Sequence, residues 1–368
     1  MKKNILVVDD SALMRRVMCD IIQSDERFLV KDTARDGLEA YELLKTKQYD
    51  AVILDINMPR MTGLELLEKL RKEGIKARVI MASTLTKDGA RETMQALELG
   101  AVDFVTKPGN FIEAKGMSFR ELLGRVLTAT VLESGAEQQS AVRVHRTVKT
   151  ENVALMPRTG EHSPQSGGGR PVSGSKLVAI ACSTGGPKSL QSVLPYLPGN
   201  LDAPVLLVQH MPAGFTATLA ERLNDLSTIK VREAADGELL EKGCVYIAPG
   251  GRHLKCIREG NNHRIAITDD PPRDALRPCA NVMYESLMNS GYDQITCVVL
   301  TGMGADGTSG IQQLETKKHI YVIAQDEATS VVYGMPRAIA QAGLADRIVP
   351  LQAVADEITK NVGCTKWM

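Results

Sequence analysis

No stretch of this chain approaches the ~18–20 consecutive apolar residues of a membrane span. Its opening, MKKNILVVDD, is too short and too charged for a secretory leader, so a cytoplasmic protein is expected. Net charge is also missing: 44 Lys and Arg balance 44 Asp and Glu. That balance argues against a broad electrostatic grip on nucleic acid or an anionic membrane. CxxC pairs are absent. The seven cysteines, Cys19, Cys182, Cys244, Cys256, Cys279, Cys297 and Cys364, are scattered and odd in number, and several lie in apolar runs. They read as reduced, mostly structural thiols, a reactive Cys182 being the minority reading. Neither a GxSxG motif nor a repeat between the two halves is found.

What is present fits two domains, because 368 residues exceed the ~100–200 of a typical domain. Residues 1–125 alternate apolar runs with helical patterns. Strands are predicted over 4–8, 29–34, 51–55, 78–82 and 103–106, with helices between them, which gives a (βα)5 unit of flavodoxin-like type. Residues 126–175 are read as a linker, polar and rich in Gly, Ser and Pro from Ser134 to Ser175. Residues 176–360 alternate again, with strands expected over 177–182, 205–209, 244–247, 295–301 and 320–325. This is a second, doubly wound α/β domain with a mainly parallel sheet.

The most informative segment is KLVAIACSTGGPKSL, residues 176–190. An apolar run stops at Ser183, small residues follow, and Pro187 opens a helical pattern, so strand, sharp turn and helix are expected. Such a turn aims backbone N–H groups at the serine hydroxyl. Alone, it fits an anion cradle better than a serine nucleophile.

In parallel α/β sheets ligands gather at the carboxyl ends of strands. In the first domain those ends supply Asp9, Asp10, Asp55, Ser83, Thr84 and Lys107. Three crowded carboxylates require a cation, and hard oxygen ligands suit Mg²⁺. Lys107 and a hydroxyl could hold a phosphoryl group on one carboxylate. VVDD (7–10), LDINMPRMTG (54–63), MAST (81–84) and GAVDFVTKP (100–108) resemble a two-component receiver domain at the expected spacing. The resemblance implies that Asp55 is the phosphoacceptor. It implies that Asp10, Asp55 and the Asn57 backbone bind Mg²⁺, with Asp9 helping through water. Ser83 would be the switch hydroxyl, Lys107 the phosphoryl contact, and the bond before Pro108 cis.

In the second domain the same strand-end reading finds Ser183, His210 and Asp306. Serine, imidazole and carboxylate at three ends of one sheet are what nucleophilic acyl chemistry needs: a base for the hydroxyl proton and an acid that orients the base. The order Ser, His, Asp differs from that of α/β-hydrolases. A rival reading exists, because Gly302, Gly304 and Gly307 form a GxGxxG turn between strand and helix, as in dinucleotide-binding proteins. Against it, Asp306 would put a carboxylate in the loop meant for pyrophosphate, and the motif comes late in its domain.

ACSTGGP, QHMPAGF, IAPGGRHL and TGMGADG together resemble the catalytic domain of the chemotaxis protein-glutamate methylesterase/protein-glutamine glutaminase family. The resemblance implies Ser183 as nucleophile, His210 as base and then acid, and Asp306 as orienting carboxylate. It implies the Met303 N–H as an oxyanion donor and Thr184 as support, without a cofactor in this domain. It further implies demethylation of glutamate methyl esters, and deamidation of certain glutamines, on methyl-accepting chemoreceptors. Phosphate would come from a chemotaxis histidine kinase. A monomer is expected, with no nucleic-acid partner, meeting the membrane only through receptors. The receiver is expected to cover the triad until Asp55 is phosphorylated. Two departures stand out: Ala181-Cys182 replace Gly-Ala, and RPCAN (277–281) replaces RPSVD. The second leaves the triad residues unchanged and puts substrate-rim contacts in question.

Overall fold

Runs such as AVILD and KLVAIAC lack the polar alternation of a half-exposed strand, and in the computed structural model they lie fully buried at the centres of two parallel sheets. The structure describes residues 1–108, 117–133, 174–260 and 262–365. Nearly all of the polar segment read as a linker falls outside them.

The first sheet holds β1 (Lys3–Val8), β2 (Phe28–Ala34), β3 (Ala51–Asp55), β4 (Val79–Ser83) and β5 (Asp103–Thr106). Every pair is parallel and the order is β2-β1-β3-β4-β5, the flavodoxin-like winding. The helices are α1 (Ala12–Gln23), α2 (Gly37–Thr46), α3 (Gly63–Glu73), α4 (Lys87–Leu99) and α5 (Met117–Thr128). Side chains start four of them: Ser11, Asp36, Thr62 and Thr86 each accept from amides of the first turn, and Thr62 with Glu65 closes a capping box. A π-helical turn, Ala129–Glu133, carries the chain beyond α5, past residue 126 where the linker was expected to begin.

The second sheet has seven parallel strands in the order β14-β13-β12-β6-β7-β9-β8. Its members are β6 (Lys176–Cys182), β7 (Val205–Gln209), β8 (Lys230–Glu233), β9 (Cys244–Ile247), β12 (Gln294–Val299), β13 (His319–Gln325) and β14 (Arg347–Val349). An antiparallel hairpin, β10 (His253–Glu259) and β11 (Asn262–Thr268), stands apart from it. The helices are α6 (Gly186–Gln191), α7 (Phe215–Leu226), α8 (Ala280–Ser286), α9 (Thr308–Glu315), α10 (Met335–Gln341) and α11 (Val354–Val362). β6 has β7 on one side and β12 on the other, so the winding reverses there. Ligand sites form at such a switch point, and Ser183 is the first residue past the end of β6.

The two domains touch. Glu98 on α4 pairs with Arg222 on α7 through two hydrogen bonds of 2.5 and 3.1 Å, and Phe104 of β5 stacks on Phe215, the first residue of α7. No helix among the described residues is long and apolar enough to cross a membrane.

Candidate active site and phosphoacceptor pocket

At the C-terminal edge of the first sheet, the carboxylate oxygens of Asp9, Asp10 and Asp55 lie within 4.8 Å of one another. Asp9 and Asp55 are buried and Asp10 is exposed. The Lys107 ammonium sits 2.7 Å from Asp9 Oδ2 and 2.7 Å from Asp55 Oδ2. Burial, partly offset by Lys107, pushes the Asp55 carboxyl up to about 6, and burial likewise raises Asp9. A cluster of oxygen donors that resists carrying its full negative charge fits a hard divalent cation. The Asn57 side chain turns away to donate to Glu92 at 3.1 Å. Ser83 Oγ is buried and donates to the Gly89 carbonyl, in the first turn of α4, at 3.0 Å. Among the described residues the cis peptide bond is Arg277–Pro278, so the cis bond expected before Pro108 is not there. With that bond trans, Lys107 still reaches both carboxylates, its backbone held by the Ser83 carbonyl at 2.7 Å.

On the second sheet, Ser183 and His210 line one cavity of about 190 Å³. Ser183 is anchored through its N–H to the Thr301 carbonyl at 3.0 Å. Glycine is required at 302, because a Cβ there would come 2.8 Å from the Ser183 Cβ. His210 Nε2 is 2.7 Å from Asp306 Oδ2. That nitrogen is committed to the carboxylate, which leaves Nδ1 as the proton-accepting atom. No hydrogen bond joins the Ser183 hydroxyl to the imidazole among the described residues; such contacts commonly tighten only with substrate. The Met303 N–H makes no hydrogen bond to any described residue, so it is free to serve an oxyanion.

Asp306 is held from behind. Its Oδ2 accepts from the Ala280 N–H at 2.6 Å, and its Oδ1 accepts from the Asn281 N–H at 2.9 Å and the Cys279 thiol at 3.1 Å. Burial opposes ionisation here, but His210 and these two amides outweigh it and bring Asp306 down to about 2. The RPCAN departure therefore sits behind the triad carboxylate. The substituted residues Cys279 and Asn281 are both buried, while Arg277 and Pro278 of the same segment line the cavity. Asn281 Oδ1 also accepts from the Gly307 and Gly310 N–H groups at 3.0 and 2.8 Å. Those are the donors a pyrophosphate would need at the GxGxxG turn. Nothing here favours dinucleotide binding over the triad.

Cys182 makes a poor nucleophile. It is fully buried, burial pushes its thiol far up, and it donates to Gln209. Asp103 is a cavity-lining carboxylate that the sequence alone did not single out. It lines the same cavity from the first domain together with Phe104 and Arg125, and it takes a hydrogen bond from the Thr184 side chain.

The comparisons with known proteins cover both halves of the chain. The family model described as CheB methylesterase matches residues 178–358, and the response regulator receiver domain model matches residues 5–115. A protein-glutamate methylesterase/protein-glutamine glutaminase of Halalkalibacterium halodurans is 41% identical over 357 residues, 97% of each chain. The Geobacillus kaustophilus protein of the same description is 41% identical over 360 residues, 98% of each chain. The Bacillus subtilis protein is 39% identical over 360 residues, 97% of this chain and 98% of its own. With both halves matched in one continuous alignment, this chain belongs to the protein-glutamate methylesterase/protein-glutamine glutaminase family.

Proposed function

We propose that this chain is a phosphorylation-gated hydrolase that removes methyl groups from glutamate methyl esters, and deamidates specific glutamines, on methyl-accepting chemoreceptors. The observation that carries the reading is the 2.7 Å His210–Asp306 hydrogen bond beside a strand-end serine in one cavity. His210 Nδ1 takes the Ser183 proton as the hydroxyl oxygen attacks the acyl carbon. The oxyanion is received by the N–H groups of Met303 and Thr184; one such donor typically contributes ~10²–10³ in rate. His210 returns the proton to the departing methoxide, which leaves as methanol, or to the amide nitrogen, which leaves as ammonia. Water, deprotonated by the same imidazole, then frees Ser183 and leaves a glutamate carboxylate.

Control comes from the receiver, which spans residues 1–125 in our reading. Asp9, Asp10, Asp55 and the Asn57 backbone would hold Mg²⁺, whose charge supports phosphoryl transfer to Asp55 from a chemotaxis histidine kinase. Lys107 and Ser83 would then hold the phosphoryl oxygens. Ser83 is bonded to the first turn of α4, and α4 carries Glu98, the partner of Arg222. Drawing Ser83 toward the phosphoryl group therefore strains the domain contact and favours an arrangement with the cavity uncovered. The enzyme works in the cytoplasm, on the cytoplasmic parts of its receptors.

The test is methanol release from methylated receptor with and without acetyl phosphate and Mg²⁺. A gain is expected in the parent chain and none in Asp55→Ala. Absence of a gain, or a gain that survives Asp55→Ala, rejects gating through Asp55.

A further inference from the structure

One buried side chain joins the two strand ends of the active site. Gln209 is the last residue of β7 and is 2% exposed. Its Nε2 donates to the Ser183 carbonyl at 3.0 Å and to the His210 carbonyl at 3.1 Å. Its Oε1 accepts from the Cys182 thiol at 3.0 Å. Burial raises that thiol, so it stays protonated and keeps donating. Both amide hydrogens and the carbonyl are thus satisfied inside the protein, as a buried carboxamide requires.

The place of this amide matters as much as its bonds. The β6–β7 register ends at the Cys182–Gln209 pair, and the last backbone bond between the strands runs from the His210 N–H to the Cys182 carbonyl at 3.2 Å. Ser183 and His210 both lie at or beyond that limit, where no ladder sets their separation. The Gln209 carboxamide supplies the missing rung. It also explains Gly186: a Cβ at that position would fall on Gln209 Oε1.

We propose that Gln209 is a positioning residue for the hydrolysis, tying the Ser183 and His210 carbonyls together and so setting the reach from nucleophile to base. The proposal rests on the reading of those two residues as nucleophile and base. A residue that acts on near-attack geometry changes kcat more than KM, because binding of the receptor does not depend on that distance. A residue that only fills space does not divide its effect in this way.

The experiment uses the full chain, saturated with acetyl phosphate and Mg²⁺, on methylated chemoreceptor. Gln209→Leu keeps the shape and removes the amide. It leaves the His210 carbonyl and the Cys182 thiol without this partner, so it is expected to melt below the parent while still folding, and to lose about 100-fold in kcat, with KM within about 2-fold. A folded Gln209→Leu with kcat within about 3-fold of the parent overturns the proposal. Should that variant not fold, Gln209→Glu decides. The carboxyl group it introduces can donate one O–H to a carbonyl when protonated, whereas the ionised form repels both carbonyls. Among the described residues, Cys182 and His210 are the titratable residues hydrogen-bonded to this position. The kcat of Gln209→Glu relative to the parent is expected to rise as pH falls from about 8 to about 6, and a flat ratio overturns the proposal. Ser183→Ala is run beside them. An active Ser183→Ala defeats the nucleophile reading and the strut with it. An inactive one beside a normal Gln209→Leu defeats the strut alone.

Discussion

The ring of Phe104, in the receiver, lies on the ring of Phe215, in the catalytic domain, with centroids 4.7 Å apart and planes 18° apart. Both side chains are buried, and both flank the cavity: Phe104 lines it, and Phe215 follows the His210–Gly214 turn. Separating the domains exposes both rings to water. The stack is therefore a favourable contribution to the covered state and none to the uncovered one.

Replacing Phe104 by alanine weakens closure without touching the triad. An aromatic pair contributes about 0.5–1.5 kcal/mol beyond its buried area. Methanol release in the absence of phosphodonor is accordingly expected to rise about 2- to 13-fold, with a smaller change once acetyl phosphate is added. An unchanged unphosphorylated rate counts against this contact as part of the gate.

Closure is expected to depend on pH through Asp103, which lines the cavity between the domains. Burial pushes its carboxyl up to about 6, against the hydrogen bond from Thr184 and the charge of Arg125. In the uncovered arrangement Asp103 returns toward the ordinary carboxylate range near 4. The covered state thus holds the proton more tightly. Its advantage is full below about 4, is lost as pH rises through about 6, and is constant above that. Lowering pH from about 7 to about 5 is expected to reduce the unphosphorylated rate several-fold more than the phosphorylated rate, and Asp103→Asn is expected to remove that difference. Parallel pH profiles of the two forms would disprove it.

Asp306→Asn keeps one acceptor oxygen, which can serve the Ala280 or the Asn281 N–H while its NH2 group faces the other, so some loss of melting temperature is expected with the fold retained. What it loses is the charge that stabilises the imidazolium and holds its tautomer. A fall in kcat of about 10⁴ is expected, measured on a variant whose melting is compared with the parent. A loss below about 10-fold would mean that Asp306 does not orient the base. The same carboxyl, held at about 2, stabilises the native state above the unfolded range near 4, and that contribution is lost as pH falls through about 2.

The central strands were legible from one sequence because each is buried on both faces and therefore reads as an apolar-rich run: 51–55, 205–209 and 244–247 match residue for residue. The edge strand 103–106, DFVT, matches as well, on its Phe104-Val105 pair alone. The strands that were missed have a different chemistry. Lys230–Glu233 and Arg347–Val349 are short edge strands with exposed residues and no apolar run. The hairpin strands His253–Glu259 and Asn262–Thr268 alternate apolar and polar residues on either side of a Gly-Asn pair in the sequence, a signal that was there to be read.

Ser183, His210 and Asp306 could be nominated from sequence because each follows a buried strand, and parallel strands deliver their C-terminal residues to one edge. Sequence order cannot say which side chains meet once they are there. Nε2 faces Asp306, Cys279 and Asn281 sit behind the carboxylate, and Asp103 reaches across to Thr184. Each of these depends on contacts between residues 25 to 96 positions apart. Hydrophobic pattern, which is local, was determined by the sequence alone, and strand ends to within one or two residues. The hydrogen-bond partners of buried polar groups were decided only by the tertiary structure, since a buried donor must take whichever acceptor the packing brings within reach.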